Sequence, residues 1–268
     1  MTKDDIKKRP IFTFVIHVNI IGTGNLAWHL AKRFETLSSV RLQQVCGRDP
    51  EKLQPFIELA RKTGPIDQIK PAHITIVAVS DQAITTVSEQ IPFRDELVVH
   101  TSGSVPMQAL ASHNRKGVFY PAQSFSMSDQ VDFSQVPICL EYDLASDKTA
   151  LSTLALALSP NIHLLKSPQR AKLHMAAVFA NNFTNYLFTL SKEVCDQHNI
   201  PFSLLHPLMY RTVEKATSHN PRAMQTGPAK RGDITVIQQH LTQLDSSAQK
   251  EVYALLSTLI QNHYGTEL

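Results

Sequence analysis

Val15-Ile16-His17-Val18-Asn19-Ile20-Ile21-Gly22-Thr23-Gly24-Asn25-Leu26-Ala27 is the stretch on which the reading of this 268-residue chain turns. It belongs to a β-branched and aromatic run that begins at Ile11 and predicts a first strand ending at Ile21. Downstream of the glycines, Leu26, Leu30, Phe34 and Leu37 recur at helical spacing. In a strand–turn–helix unit, Gly22 permits a tight strand exit, Gly24 lets backbone approach a pyrophosphate, and Ala27 allows helix and strand to touch. The N–H groups of the helix start then face the anion. Gly22, Thr23, Gly24, Asn25 and Leu26 are accordingly candidate dinucleotide-binding residues. A glycine turn serving only packing is the competing reading, and the strand before it and the helix after it weigh against that.

Working outward, Val40 to Cys46 reads as a second strand that stops at Gly47-Arg48-Asp49-Pro50, and Glu51 to Lys62 as a helix with Leu53, Phe56, Ile57 and Ala60 inward. His73 to Ser80 and Glu96 to Thr101 have the nearly continuous apolar character of strands covered on both faces. Gly117 to Tyr120, Ile138 to Glu141 and Ile162 to Leu165 extend the sheet. Strands alternating with helices predict an α/β fold with a doubly wound, mainly parallel sheet of the Rossmann type. The domain plan is a polar leader over residues 1–10, a dinucleotide-binding domain over 11–166 and a helical domain over 167–268. Ser167-Pro168 opens a helix that meets no glycine or proline up to His198, with serine as cap and proline at the first helical position. Further helices are predicted over Ser203–Ser218, Asp233–Leu244 and Ser246–His263, with Asp233 as a cap and Asn220–Gly232 as a loop.

Hydrophobic residues make up 43% and charged residues 18%, the balance of a packed chain. With 26 basic against 23 acidic residues, bulk charge argues neither for nucleic acid nor for a membrane surface. Cys46, Cys139 and Cys195 are odd in number and lack metal-finger spacing, no histidine pattern suggests a metal, and no secretory segment is evident, so the expected compartment is the cytoplasm.

Cofactor choice rests on the end of the second strand, where NAD-preferring domains place an acidic residue against the ribose hydroxyls. Arg48 there could clamp a 2′-phosphate, with Lys52 as a second charge, which favours NADP; Asp49 keeps NAD open. Surface charge without a ligand is the plain alternative for Arg48 and Lys52. Val79-Ser80-Asp81 and His100-Thr101-Ser102-Gly103-Ser104 follow buried strands, where ligands bind in such sheets, so Val79, Ser80, Thr101 and Ser102 are expected to line the nicotinamide side.

On the long helix, His174, Asn181 and Asn185 are spaced seven and four apart, with Asn181 and Asn185 each within about 20° of His174 at 100° per residue. A buried polar stripe needs partners, which a substrate or a nicotinamide amide could provide. A helix–helix contact in a dimer could provide them equally. In the catalytic reading His174 is the general acid and Asn181 orients the reacting carbonyl or imine. Arg231, in Thr226-Gly227-Pro228-Ala229-Lys230-Arg231-Gly232-Asp233, could hold a substrate carboxylate or merely pair with Asp233.

These motifs, together with Tyr120-Pro121-Ala122-Gln123-Ser124-Phe125 and Ala176-Ala177-Val178-Phe179-Ala180-Asn181-Asn182-Phe183, resemble those of Rossmann-like proteins carrying a C-terminal domain of unknown function, DUF2520. That family is similar in architecture to pyrroline-5-carboxylate reductase, the deazaflavin-dependent NADP oxidoreductases and the 6-phosphogluconate dehydrogenase group. The resemblance implies an NADP-binding domain, an all-helical domain of the 6-phosphogluconate dehydrogenase C-terminal type that forms a homodimer, and a small-molecule site in a cleft between the domains. In the β-hydroxyacid dehydrogenase branch a lysine lies one turn before the asparagine; here Ala177 and Val178 stand at those places. The expected activity is hydride transfer between NADP(H) and a small carbonyl, imine or hydroxy acid. A non-catalytic nucleotide sensor or interaction protein is the alternative that the missing lysine suggests.

Overall fold

A computed structural model describes residues 15–264, so the polar leader and Ile11 to Phe14 of the first expected strand lie outside the described residues. It divides into two compact units, one ending at Ala177 and the other beginning at Val178.

The first unit holds an eight-stranded sheet in the order β3-β2-β1-β4-β5-β6-β7-β8. The strands are β1 (Ile16–Ile21), β2 (Val40–Cys46), β3 (Lys62–Gly64), β4 (Ile74–Val77), β5 (Leu97–His100), β6 (Arg115–Pro121), β7 (Ile138–Tyr142) and β8 (Ile162–Leu164). Between them run α1 (Asn25–Glu35), α2 (Pro50–Leu53), α3 (Ile84–Glu89) and α4 (Asp147–Leu158), and α5 (Ser167–Ala177) closes the unit. Every neighbouring pair is parallel except β6 and β7. Residues 122–137 that join those two contain only a 3-10 turn, Phe133–Gln135, and a connection without a crossover helix suits antiparallel neighbours. All four residues of β4 and of β5 are buried, as expected for central strands covered on both faces. Helix α1 turns Ala27, Leu30, Ala31 and Phe34 into the core beside Ile20, Ile74, Ile76 and Phe119, so the 3–4 spacing of its apolar residues sets its docked face.

Two local expectations differ. The helix over Glu51–Lys62 is not continuous: α2 ends at Leu53, a 3-10 turn covers Gln54–Phe56, and Lys62–Gly64 pairs with β2 as an edge strand. Pro55 has no N–H to give to the Glu51 carbonyl, which stops the α-helical ladder. Leu53 and Phe56 are buried, whereas Ile57 is exposed. At the start of α5, Ser167 is not the cap. Its N–H and hydroxyl donate to the two carboxylate oxygens of Glu141 on β7, at 2.9 and 2.7 Å, so an acid from a neighbouring strand caps the helix.

The second unit is all helical. A π-helical segment, Val178–Phe183, is followed by α6 (Thr184–Gln197), α7 (His206–Ser218), α8 (Pro221–Met224), α9 (Pro228–Arg231), α10 (Ile234–Gln243) and α11 (Ser247–Tyr264). The expected uninterrupted α-helix is thus replaced by a wider turn at Val178–Phe183, through which the 3.6-residue period does not extend; the Thr184 hydroxyl donates to the Phe179 carbonyl five residues back, at 3.1 Å. Asp233 caps α10 by accepting from the Val236 N–H at 3.3 Å. The expected loop 220–232 carries two single-turn helices, α8 and α9, each begun by a proline at its start, and Gly232 ends α9 at φ +68°.

Candidate functional site

Strands β1 and β4 are neighbours, while the chain leaves β1 toward β2 on one side and reaches β4 on the other. This reversal is the place where doubly wound sheets open a crevice at the carboxyl ends of their strands. A cavity of about 710 Å³ opens there, lined by Gly22, Thr23, Gly24, Asn25 and Leu26, by Arg48, and by Val79, Ser80, Thr101 and Ser102. Lys52, the second charge expected on the ribose side, is not among the lining residues and is exposed on α2.

The turn itself explains its glycines. Gly22 adopts φ +130°, and a Cβ there would lie 2.0 Å from the Ala78 carbonyl oxygen, so only glycine lets β1 turn away against the end of β4. Gly24 has an ordinary extended backbone, and a Cβ on it would meet nothing within 4 Å. Its lack of a side chain therefore serves neither the backbone nor the packing; it leaves open space directly before α1. No side chain caps α1 and no acid occupies its first turn, so its leading N–H groups are uncompensated by protein. A pyrophosphate fits that arrangement in both shape and charge.

At the end of β2 the two candidates for ribose recognition divide. The carboxylate of Asp49 caps α2, accepting the Glu51 N–H at 3.0 Å. Arg48 is exposed, lines the cavity, and takes no part in the ion pairs among the described residues. Cys46 lies on the cavity floor with its thiol pushed up to about 11 by burial, which leaves it protonated and inert.

Behind Thr101 and Ser102, which line the cavity, the loop is held by a residue that the motifs do not include. Arg170 of α5 is fully buried. It forms an ion pair with Glu141 and donates to the carbonyls of Ser102, at 3.1 Å, and Val105, at 2.5 Å. Burial alone would raise the Glu141 carboxyl, but its bonds from Ser167 and Arg170 hold it below the ordinary value. One guanidinium thus clamps the 102–105 loop to β7 and α5. Asp81 accepts the Ser104 hydroxyl at 2.5 Å and ties the loop after β4 to the loop after β5. His100 is fully buried; its Nδ1 accepts the Ser102 N–H at 3.1 Å, and burial together with the Arg170 charge lowers its pKa to about 4. A neutral, enclosed imidazole at this place shapes the loop.

His174, one turn after Arg170, packs on the same loop. A Cβ on Gly103 would stand 2.6 Å from its Nδ1, so that glycine leaves room for the imidazole. The Tyr120 hydroxyl lies 3.4 Å from Nδ1, with the two rings edge to face. The Tyr120–Phe125 motif also reaches the glycine turn: Asn25 donates to the Phe125 carbonyl at 2.8 Å, and a His29 ring nitrogen lies 2.7 Å from the Ser126 carbonyl.

The sequence and architecture of known proteins match this arrangement. Residues 136–260 match the model of a domain of unknown function, DUF2520. A Bacteroides fragilis protein provisionally named an NADP oxidoreductase is 36% identical, with a TM-score of 0.86 over 92% of this chain and 98% of its own. The chain belongs to the DUF2520 family of Rossmann-like proteins. A Thermotoga maritima protein is 22% identical, with a TM-score of 0.69 over 93% of this DUF2520 chain and 99% of its own. The imine reductase of Myxococcus stipitatus, solved with NADP+, shares the fold at 15% identity, with a TM-score of 0.60 over 93% and 96% of the two chains. No curated protein matches the sequence.

Two candidates of this DUF2520 protein lie in the second unit. Asn181 falls within the π-helical segment and is exposed; Arg231 ends α9 and is exposed, while the neighbouring Lys230 ammonium lies 5.6 Å from the centre of the Tyr264 ring. Among the described residues no three His, Cys, Asp or Glu side chains cluster as a metal site, and no helix is long and apolar enough to cross a membrane. Sequence offers no signal that separates Arg170 from the neighbouring cations Lys166 and Lys172, and none that pairs it with Glu141, 29 residues away.

Proposed function

We propose that this protein is an NADP-dependent oxidoreductase that moves hydride between the nicotinamide and a small carbonyl, imine or hydroxy-acid substrate. The observation that carries the reading is the division of labour after β2: the Asp49 carboxylate is spent on capping α2, and Arg48 lines the cavity with no ion pair among the described residues, where its guanidinium would meet a 2′-phosphate. Gly22, Thr23, Gly24, Asn25 and Leu26 would hold the pyrophosphate, and Val79, Ser80, Thr101 and Ser102 the nicotinamide side. When bound, the cofactor supplies the hydride. His174 supplies or withdraws the proton on the substrate heteroatom, as a positioned imidazole can. In the same proposal Asn181 orients the reacting group and Arg231 takes a substrate carboxylate; Arg231→Ala then raises the KM of carboxylated substrates selectively. The provisional NADP oxidoreductase name of the similar Bacteroides fragilis protein and the fold shared with an NADP-bound imine reductase support the chemical class.

The helical unit exposes Leu204 and Leu208, four residues apart across the start of α7, and this apolar pair supports self-association as a homodimer. Three buried free thiols suit a reducing compartment such as the cytoplasm.

Calorimetry with NADPH and NADH on the parent and Arg48→Ala proteins tests the cofactor. We expect NADPH affinity to fall about tenfold in the variant, about 1.4 kcal/mol, with NADH affinity unchanged. Binding of neither nucleotide would overturn the reading. Tight NADPH binding without substrate-dependent oxidation across carbonyl and imine panels would point instead to a nucleotide sensor, the role that Ala177 and Val178 in place of a lysine favour.

A further inference from the structure

Two features of His174 are not explained by packing. Its imidazole needs Gly103: a Cβ at that residue would stand 2.6 Å from Nδ1, 2.8 Å from Cγ and 2.9 Å from the histidine Cβ. Gly103 has no left-handed backbone that would call for glycine, so its missing side chain serves the imidazole. Secondly, the Tyr120 hydroxyl lies 3.4 Å from Nδ1 of the half-buried ring, and His174 is the hydrogen-bond partner of that hydroxyl among the described residues. Tyr120 is anchored at the carboxyl end of β6, and its ring meets the imidazole edge to face. Ser102, next to Gly103, lines the dinucleotide cavity. Two different strand ends therefore close around the same edge of one imidazole.

We propose that Tyr120 is a positioning residue that occupies Nδ1 of His174 and so confines proton exchange with the substrate to Nε2. This rests on the reading of His174 as the acid. In that state both ring nitrogens carry a proton; Nδ1–H donates to the Tyr120 oxygen, and Nε2–H is given to the substrate nitrogen or oxygen as hydride arrives at carbon. The ring left behind keeps Nδ1–H on the phenol and a lone pair at Nε2, which recovers a proton from water. No proton passes through Tyr120. Burial raises the phenol pKa, and the Asp81 carboxylate and Cys139 act in the same direction while the Arg170 charge opposes them, so the phenol remains neutral throughout the cycle. A long hydrogen bond in the free protein is compatible with this role, because such bonds tighten when substrate binds.

The test is nitrogen-15 NMR of ring-labelled histidine in the full chain, with Tyr120→Phe beside the parent. The shifts of Nδ1 and Nε2 report which nitrogen holds the proton. We expect the neutral His174 ring of the parent to hold a single tautomer protonated at Nδ1, and Tyr120→Phe to give averaged shifts of the two tautomers at an unchanged NADPH affinity. Turnover, where a substrate is found, would fall about tenfold with KM for NADPH unchanged. Mixed tautomers in the parent, or the same tautomer in both proteins, would overturn the proposal. The separate variant His174→Ala distinguishes the underlying reading: if it turns over substrate at the parental rate while the tautomer still depends on Tyr120, the acid assignment fails and the positioning contact stands.

Discussion

Gly103 and His100 carry opposite kinds of evidence within one loop. Gly103 is a space requirement, and its prediction is steric: Gly103→Ala must push either the imidazole of His174 or the loop, at a cost of about 1–3 kcal/mol typical of overpacking. Thermal melts would read the loss of stability, and a melt identical to the parent would show that the imidazole does not sit there. His100 is a charge requirement. Its folded pKa, about 4, lies below the ordinary 6.5, so between those values the unfolded chain binds a proton that the folded one refuses. Stability from this group is therefore complete above about pH 6.5 and is lost as pH falls toward 4, by about 3 kcal/mol in all. Denaturant midpoints measured across that range should fall steeply in the parent and less steeply in His100→Asn.

Among the elements, α5 has the most to lose from a single change. Its start is capped by Glu141 from β7, and its Arg170 fixes the 102–105 loop from a fully buried position. Arg170→Met removes the charge partner of the largely buried Glu141 and leaves it only the two bonds from Ser167, which predicts a loss of about 3–5 kcal/mol. Hydrogen exchange at Ser104 and Val105, whose N–H groups bond the Ser102 hydroxyl, should quicken in that variant. Protection unchanged by the substitution would mean that the loop is held by its own turn. The same helix shows the reach of local patterning. The Ser167-Pro168 start marks its first turn correctly, but the capping group comes from a strand 26 residues earlier. Likewise Pro55 is enough to foresee the early end of α2, whereas the pairing of Lys62–Gly64 on β2 depends on where the returning chain meets the sheet.

For the molecule as a whole, the exposed apolar pair Leu204 and Leu208 of the helical unit bears on assembly. If it is the dimer surface proposed above, light scattering should give twice the chain mass for the parent and the single-chain mass for Leu204→Asp/Leu208→Asp. A doubly substituted protein that remained dimeric would move the interface elsewhere.

What the sequence determined by itself are features set by neighbours in the chain. The β-branched and buried-run patterns mark the strands, the 3.6-residue spacing marks α1, and Gly22 and Gly24 mark the turn between β1 and α1, because strand, turn and helix geometry depend on a few consecutive residues. The tertiary structure alone decided the contacts between distant residues. It showed that Asp49 is consumed as a cap while Arg48 lines the cavity, that Arg170 finds Glu141, and that Gly103 and Tyr120 lie along one edge of His174. Each of these brings together a side chain and a partner whose proximity follows from sheet order and helix docking, and no local spacing rule encodes that proximity.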